Sequence, residues 1–309
     1  MRNVFIIFGV IAIGIFIFYL SVSKKQSFFE VYGIDDTISK SLKEFRKLPL
    51  NTIKVDSVEW TYLKTGSGEQ TILFLHGMGG AYDIWWQQIN YFKNKYRIIS
   101  VTYPPINNLE QMANAIIEIL DNERIGKVMV VGSSLGGYFA QYLTSMYPER
   151  IEKAVFGNTF PPNDVIKQEN QSKESLFKTA PGWVVMWILR RGLSEGVLPA
   201  ADNSPVLRAY MIEQYSGGMT KEQFIARYYC VVDKFDVEKT DYIPKMIIES
   251  DNDPLVNKDL REKLKALYPK ARVVTIHKGG HFPYVSSPET YNKTLENFFS
   301  EEVKQNIEF

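Results

Sequence analysis

The sequence contains little of two residue types on which many binding sites depend. Among its 309 residues, one is cysteine, Cys230, and three are histidine, namely His76, His277 and His281. A single cysteine excludes an internal disulfide framework and a cysteine-based zinc site. Three histidines leave little room for a histidine-rich metal centre. We therefore expect neither a metal ion nor a cofactor.

The chain also lacks an excess of charge of either sign. It has 36 Lys and Arg residues against 35 Asp and Glu residues, which gives a formal net charge of +1. Nucleic-acid binding requires a basic surface, and this balance supplies none. The composition is 45% hydrophobic and 23% charged, which is typical of globular proteins and excludes a disordered or fibrous chain. The sequence contains no internal repeat and no low-complexity segment.

An uncharged apolar run, Val4–Val22, lies near the start of the chain. Its length is close to the roughly 20 helical residues that cross a bilayer. We therefore expect residues 1–23 to form an uncleaved N-terminal transmembrane anchor. The alternative is a cleaved signal peptide with a processing site at residues 21–23, although the run exceeds the usual apolar core of about 7–15 residues. Basic residues flank both ends, at Arg2 and Lys24, so the sequence leaves the orientation open.

Residues 24–51 are predicted to form a connector with helical character. Apolar side chains recur there every three or four positions, at Ile34, Ile38, Leu42, Phe45 and Leu48. Asp35 or Asp36 could cap the start of such a helix. Two interpretations stay open. The helix could rest on the membrane surface beside the anchor, or it could pack on the domain that follows.

From Thr52 onward, strands alternate with helices. Two short alternating runs between Ile53 and Tyr62 predict an antiparallel hairpin. Six nearly continuous apolar runs follow, at Thr71–Leu75, Arg97–Val101, Lys127–Val131, Lys153–Phe156, Lys245–Ile248 and Arg272–Ile276. Such runs are typical of strands that are covered on both faces, and the intervening helices make the crossovers of a parallel sheet. We therefore predict an α/β domain over residues 52–309, with a mostly parallel, doubly wound sheet.

A nucleophile motif follows the third of these apolar runs. Residues Gly132–Gly136 read GSSLG, which is G-x-S-x-G between a predicted strand and a predicted helix. In that context the serine, Ser134, sits on a sharp turn at the carboxyl edge of the sheet. The alternative is an ordinary turn of glycine and serine. A nucleophilic serine there would also point the N–H of Leu135 toward the reacting atoms.

A glycine-rich loop, His76–Gly80, follows the first of the apolar runs. Its flexibility would let the backbone N–H of Met78 face the same edge of the sheet. Together with the N–H of Leu135, it would form an oxyanion hole. We expect His76 itself to orient this loop and not to act as a catalyst.

A serine nucleophile requires a base and an acid that orients the base. After the strand KMIIES comes Asp253, with Asp251 as its rival. After the strand RVVTI comes His281, which lies beyond two glycines and can reach back over Ser134; His277 ends the strand and reads as structural. We therefore assign Ser134, Asp253 and His281 as the catalytic set, in that chain order.

From about Thr52 to Phe299 the chain resembles the α/β-hydrolase superfamily. The resemblance rests on TILFLHGMGG, the elbow VGSSLGGYFAQ, the acid loop ESDNDPLV and the base loop GGHFPY, which occur in this order. Within the superfamily the chain is most similar to maspardin-like proteins, through YRIISVTYPP, LYPKARVVTIHKGGHFPY and the stretch Asn158–Phe160. The superfamily implies an α/β-hydrolase fold with an inserted helical cap, which we expect at about residues 161–242.

Two positions depart from these patterns. Many superfamily members carry Asp-x-Pro-Gly where this chain has Thr102–Pro105. The base loop of maspardin carries asparagine at the position of His281. The superfamily therefore implies a competent hydrolase, whereas maspardin implies a non-catalytic binding protein.

The most apolar part of the expected cap is Trp183–Leu189. Trp183, Met186 and Trp187 are spaced so that they share one face of a helix. We expect this face to line an apolar substrate pocket. The alternative is a helix that simply covers the core.

Two functions from different classes follow. The first is a membrane-anchored serine hydrolase that cleaves an ester or related acyl bond of an apolar small molecule, without a cofactor. The second is a non-catalytic, maspardin-like binding or adaptor protein on the same scaffold. The intact set of Ser134, Asp253 and His281 favours the enzyme.

Overall fold

The computed structural model describes residues 13–14 and 16–301, and an eight-stranded sheet lies at its centre. In chain order the strands are β1 (Leu50–Val55), β2 (Val58–Gly66), β3 (Thr71–Leu75), β4 (Arg97–Thr102), β5 (Val128–Ser133), β6 (Ile151–Gly157), β7 (Lys245–Ser250) and β8 (Arg272–Ile276). Their order across the sheet is β1-β2-β4-β3-β5-β6-β7-β8. Strand β2 is antiparallel to both of its neighbours, and the strands from β4 to β8 are parallel. The predicted mostly parallel sheet with an antiparallel hairpin is confirmed.

The central strands are apolar throughout because both faces of the sheet are covered. In β3, Ile72 and Phe74 pack into one hydrophobic cluster, and Leu73 and Leu75 pack into a second cluster on the other face. All five residues of this strand are buried. The alternation of side chains along a strand therefore supplies both cores at once.

Helices cover the two faces. They are α1 (Phe28–Tyr32), α2 (Thr37–Phe45), α3 (Trp86–Phe92), α4 (Leu109–Asn122), α5 (Leu135–Met146), α6 (Val165–Thr179), α7 (Gly182–Gly192), α8 (Leu198–Ala200), α9 (Pro205–Glu213), α10 (Lys221–Val232), α11 (Lys258–Leu267), α12 (Pro283–Ser286) and α13 (Pro288–Ser300). Short 3₁₀ turns occur at Tyr82–Trp85 and Pro148–Arg150, and π-helical turns occur at Leu193–Val197 and Gln214–Gly218. The helices from α6 to α10 lie between β6 and β7, inside the stretch expected to form the cap.

The connector packs on the domain, which decides between the two interpretations left open by the sequence. Phe28, Leu42 and Phe45 are buried in one of the two main clusters. The connector forms two helices because Gly33, with φ of 109°, ends α1, and the side chain of Asp36 caps α2 by accepting a hydrogen bond from the N–H of Ile38. The predicted cap at Asp35 or Asp36 is thus confirmed at Asp36, and Ile34, which precedes that cap, is exposed.

The predicted anchor is described only in part. Residues 4–12 and 15 of the run Val4–Val22 lie outside the described residues. Residues 16–22 are helical, and their apolar side chains are largely exposed. Within the ranges that the structure covers, no helix is both long enough and apolar enough to span a membrane.

Candidate active site

Ser134 occupies a strained turn between β5 and α5. Its backbone angles are φ 56° and ψ −122°, a conformation that side-chain-bearing residues rarely adopt. The turn is possible because its glycines have no side chains. A Cβ atom on Gly132 would lie 2.0 Å from the carbonyl oxygen of Gly136, and one on Gly136 would lie 2.1 Å from that of Leu75. The local sequence therefore holds Ser134 at the carboxyl edge of the sheet, at the N-terminus of α5.

The loop after β3 lies directly against this serine. A Cβ atom on Gly77 would lie 3.1 Å from the Cβ atom of Ser134, so the loop that carries Met78 borders Ser134. Met78 follows Gly77, and Leu135 follows Ser134, so the two backbone segments predicted to form the oxyanion hole meet at this point. The N-terminus of α5 adds the positive end of its helix dipole.

His76 orients this loop. Its Nδ1 atom lies 2.7 Å from the carbonyl oxygen of Gly77, and its Nε2 atom accepts a hydrogen bond of 3.2 Å from the N–H of Tyr103. The imidazole is buried and stacks on the Tyr103 ring, with 3.8 Å between ring centroids. Burial, aided by the nearby Arg227 cation, lowers the pKa of His76 well below its ordinary value. His76 is therefore a neutral hydrogen-bonding group beneath the loop.

His281 and Asp253 form a buried pair. The Nδ1 atom of His281 lies 2.9 Å from both carboxylate oxygens of Asp253. The carboxylate also accepts hydrogen bonds from the N–H groups of Leu255 and Val256, at 2.8 and 3.1 Å. Burial would raise the pKa of Asp253, but the His281 imidazole, the Asn158 amide and the N–H of Leu255 hold it below its ordinary value. The arrangement fixes an ionised acid on one nitrogen of the imidazole and leaves Nε2 for other partners.

Ser134 and His281 line the same cavity, which has a volume of about 410 Å³. Its other lining residues are mostly apolar side chains of the cap, including Ile166, Phe177, Ile188, Leu189, Leu193, Met211 and Phe224. The hydrogen bonds of these two residues do not include one from Ser134 Oγ to His281. Such contacts often tighten only when substrate is bound. The cavity is a largely apolar volume that is bordered by the Ser134 hydroxyl, the His281 imidazole and the loop that carries Met78.

The family follows from a comparison with known sequences. A model described as the alpha/beta hydrolase family matches residues 72–294, a span that includes β3, the elbow, the cap and the acid and base loops. The chain belongs to the alpha/beta hydrolase family.

Individual relatives agree with this assignment. Maspardin from Danio rerio is 24% identical over 270 residues, covering 84% of this chain and 85% of that protein. Esterase YbfF from Escherichia coli is 23% identical over 249 residues, covering 74% of this hydrolase and 93% of the esterase. The crystal structure of the enol-lactonase from Burkholderia xenovorans LB400 superposes with a TM-score of 0.69 at 17% identity, covering 81% of this chain and 100% of that one. At that identity the structural likeness concerns the fold.

The rival acid and base of this alpha/beta hydrolase lie together, away from the cavity. The Nδ1 atom of His277 is 2.5 Å from a carboxylate oxygen of Asp251, and the imidazole is largely exposed. Asp251 also accepts a hydrogen bond of 2.8 Å from the N–H of Lys278. Neither Asp251 nor His277 lines the cavity. The pair ties the end of β8 to the loop after β7.

Asn158 is a site residue for which the sequence indicates no role beyond a family resemblance. Its Nδ2 atom lies 2.9 Å from Oδ2 of Asp253 and 3.1 Å from the carbonyl oxygen of Gly280. It therefore bridges the acid and the residue before His281. Its position directly after β6 was the available clue, because polar residues at the carboxyl ends of neighbouring strands meet.

Arg227 is a second site residue that the sequence pattern does not indicate. It lies on α10 in the cap, is buried, and donates hydrogen bonds to the carbonyl oxygens of Met78 and Gly80 at 2.7 and 3.0 Å. No local pattern indicates this contact, since Arg227 and Met78 are 149 residues apart in the chain. The loop that carries Met78 is thus held by a residue of the cap.

The three cap residues expected to line the pocket lie elsewhere, which corrects that expectation. Trp183 and Trp187 pack on Phe18 of the N-terminal segment. Met186 belongs to a small apolar cluster with neighbours such as Met219 and is not among the cavity-lining residues. Trp183 and Trp187 do share a neighbour, as the helical spacing predicts, but Met186 lies in the same apolar cluster that Leu189 packs against. The residues of α7 that line the cavity include Ile188 and Leu189.

Proposed function

We propose that this alpha/beta hydrolase is a serine hydrolase that cleaves an ester or related acyl bond through an acyl-enzyme on Ser134. One observation carries the proposal: His281, paired with the buried Asp253, lines the same apolar cavity as a serine on a strained elbow. A binding protein on the same scaffold would need neither the strained serine nor a buried acid held on an imidazole.

The reaction proceeds in two halves. Ser134 Oγ attacks the acyl carbonyl carbon, and its proton passes to Nε2 of His281. The N–H groups of Met78 and Leu135 stabilise the oxyanion of the tetrahedral intermediate. When the intermediate collapses, His281 returns the proton to the leaving alcohol. Water then attacks the acyl-enzyme by the same route and releases the acid.

Asp253 controls the tautomer and the charge of the His281 imidazole in both halves of the reaction. Its ionised carboxylate holds the proton on Nδ1, so Nε2 is the nitrogen free to accept the serine proton. The carboxylate also stabilises the imidazolium that forms in each tetrahedral step.

The cavity supports an apolar acyl group as the substrate class. Its cap-side wall is made mostly of aliphatic and aromatic side chains, with Asn170 and Lys173 as polar members, and its volume is within the range of small-molecule sites. Burial of an acyl chain there would contribute about 0.8 kcal/mol for each methylene removed from water.

Membrane attachment forms part of the proposal. The run Val4–Val22 carries no charge and is about as long as a bilayer-spanning helix. We propose that it holds the hydrolase at a membrane, with the folded domain beginning at α1.

A fluorophosphonate probe tests the chemistry, because it phosphonylates only an activated serine. We expect the unaltered protein to be labelled and to hydrolyse p-nitrophenyl acyl esters, and Ser134→Ala to do neither. Ser133→Ala is the matched control, since Ser133 is the adjacent, buried serine of the same turn. An unaltered protein that is folded but neither labelled nor active would favour the binding or adaptor function.

A further inference from the structure

Helix α7 has two faces with different partners. Ile188 and Leu189 line the cavity. Trp183 and Trp187, one helical turn apart, face the N-terminal segment instead. The Phe18 ring lies 5.9 Å from Trp183 and 5.5 Å from Trp187, measured between centroids, and both contacts are edge-to-face. A single helix therefore separates the cavity from the C-terminal end of the apolar run, to which Phe18 belongs.

Further contacts fix this arrangement. Tyr19 packs on Trp183 with 5.7 Å between the ring centroids. One turn beyond Trp187, the guanidinium of Arg190 donates a hydrogen bond to the carbonyl oxygen of Val22. The end of the N-terminal segment is thus held along the outer face of α7 by aromatic packing and by a charged donor.

The segment on this face is apolar and open. Ile13, Phe16 and Ile17 are each about 60% exposed. Leaving so much apolar surface in water is unfavourable, and contiguous apolar patches usually mark an interaction site. Aromatic rings beside Lys and Arg side chains are the residues that occupy the boundary between a bilayer and water. Here Trp183, Trp187 and Tyr19 adjoin Arg190, which matches that composition.

We propose that the outer face of α7 rests on the bilayer surface and that the cavity takes its substrate from the bilayer. The substrate class is then an amphiphilic ester with a long acyl chain. This inference rests on the proposed function. Its physical basis is that an acyl chain passing from the bilayer into an apolar cavity need not cross water, where exposure of each methylene is unfavourable.

The first test locates the two tryptophans relative to lipid. The full-length protein is bound to phosphatidylcholine vesicles whose acyl chains carry bromine near the headgroup end, and tryptophan emission is compared with that in unbrominated vesicles. Bromine quenches only nearby rings. We expect quenching of the unaltered protein and its loss in the double variant Trp183→Phe/Trp187→Phe.

Trp60→Phe is the matched control, because Trp60 is buried in the core of the domain and its removal should leave the quenched component intact. If the protein sediments with vesicles but shows no quenching, the inference about α7 is wrong, and only the proposed N-terminal anchor stands. If the protein does not sediment with vesicles, both the proposed anchor and the proposed position of α7 are wrong. Quenching replaced by self-association would identify a second copy of the chain as the partner of this face.

The second test concerns substrate delivery. We expect Trp183→Ser/Trp187→Ser to lower the hydrolysis of a long-chain ester embedded in vesicles several-fold, with little change for a short, water-soluble ester. If the hydrolysis rate falls equally for both esters, or falls for neither, the inference is contradicted. An unaltered protein that is inactive on the short ester would instead remove the proposed hydrolase activity, while the quenching experiment would still report the position of α7.

Discussion

Arg227 of the cap donates a hydrogen bond from Nη1 to the carbonyl oxygen of Met78, 2.7 Å away. The same atom lies 3.0 Å from the carbonyl oxygen of Gly80, and Nη2 lies 3.1 Å from that of Tyr103. Burial lowers the pKa of Arg227 to about 10, so the guanidinium is still charged at neutral pH. The cap and the loop that carries Met78 are therefore joined by charge-assisted hydrogen bonds.

Removal of the Arg227 guanidinium should reduce turnover more than it weakens binding. We expect Arg227→Met to lower kcat by about tenfold to a hundredfold, less than the loss of a whole oxyanion donor. KM should change little, because the residue does not line the cavity. Steady-state kinetics on a short ester measure both constants.

Gln223→Ala is the control for Arg227. Gln223 lies on the same helix and donates to the same Tyr103 carbonyl oxygen at 3.1 Å, but it makes no hydrogen bond to the loop that carries Met78. We expect near-normal kcat in this variant. If kcat and Tm fall equally in Arg227→Met and Gln223→Ala, then Arg227 only stabilises the cap.

Asn158 should act as a positioning residue for the acid. Asn158→Ala removes one donor to Asp253 and the link to Gly280, so we expect kcat to fall by about tenfold, equivalent to about 1.4 kcal/mol. Asn158→Asp places a second carboxylate beside the pair of Asp253 and His281. That charge favours protonation of the pair, so the acidic limb of the pH–activity profile should move to higher pH. An unchanged profile in Asn158→Asp would contradict this role.

Ser134 and His281 should behave as one unit. Each of Ser134→Ala and His281→Asn is expected to lower kcat by about 10⁶-fold, and the double change should cost little more. Asp253→Asn should cost less than either. His277→Gln, made on the exposed imidazole, should stay within about twofold of the unaltered protein. Activity near normal in His281→Asn, the variant with the maspardin-like residue, would remove His281 as the base.

The connector should contribute to stability through Arg46. Its guanidinium lies 2.7 Å from Asp83 and 2.5 Å from Glu213, and both carboxylates are largely buried. Arg46→Met leaves them without this partner, so we expect the free energy of unfolding to fall by about 2–3 kcal/mol, below the usual cost of breaking a fully buried pair. Urea denaturation measures the change. Arg191→Met, which breaks an exposed ion pair with Glu195, should leave the free energy of unfolding almost unchanged. Equal decreases in Arg46→Met and Arg191→Met would contradict the role of Arg46.

Local pattern was sufficient to predict the strands, the elbow and the candidate triad of this protein. The apolar runs identify strands covered on both faces, and the glycines around Ser134 are required wherever β5 and α5 approach so closely. The order of Ser134, Asp253 and His281, each after a strand, places all three at one edge of a parallel sheet. These inferences depend on neighbours in sequence and on chain order.

Tertiary structure alone decided which partners the helices meet. Helical spacing grouped Trp183 with Trp187, but it could not show that they contact Phe18 while Leu189 lines the cavity. It also could not place the connector on the domain or bring Arg227 to Met78. A repeat of 3.6 residues defines a face, whereas the surface that covers the face comes from residues far away in the chain, and only folding brings them together.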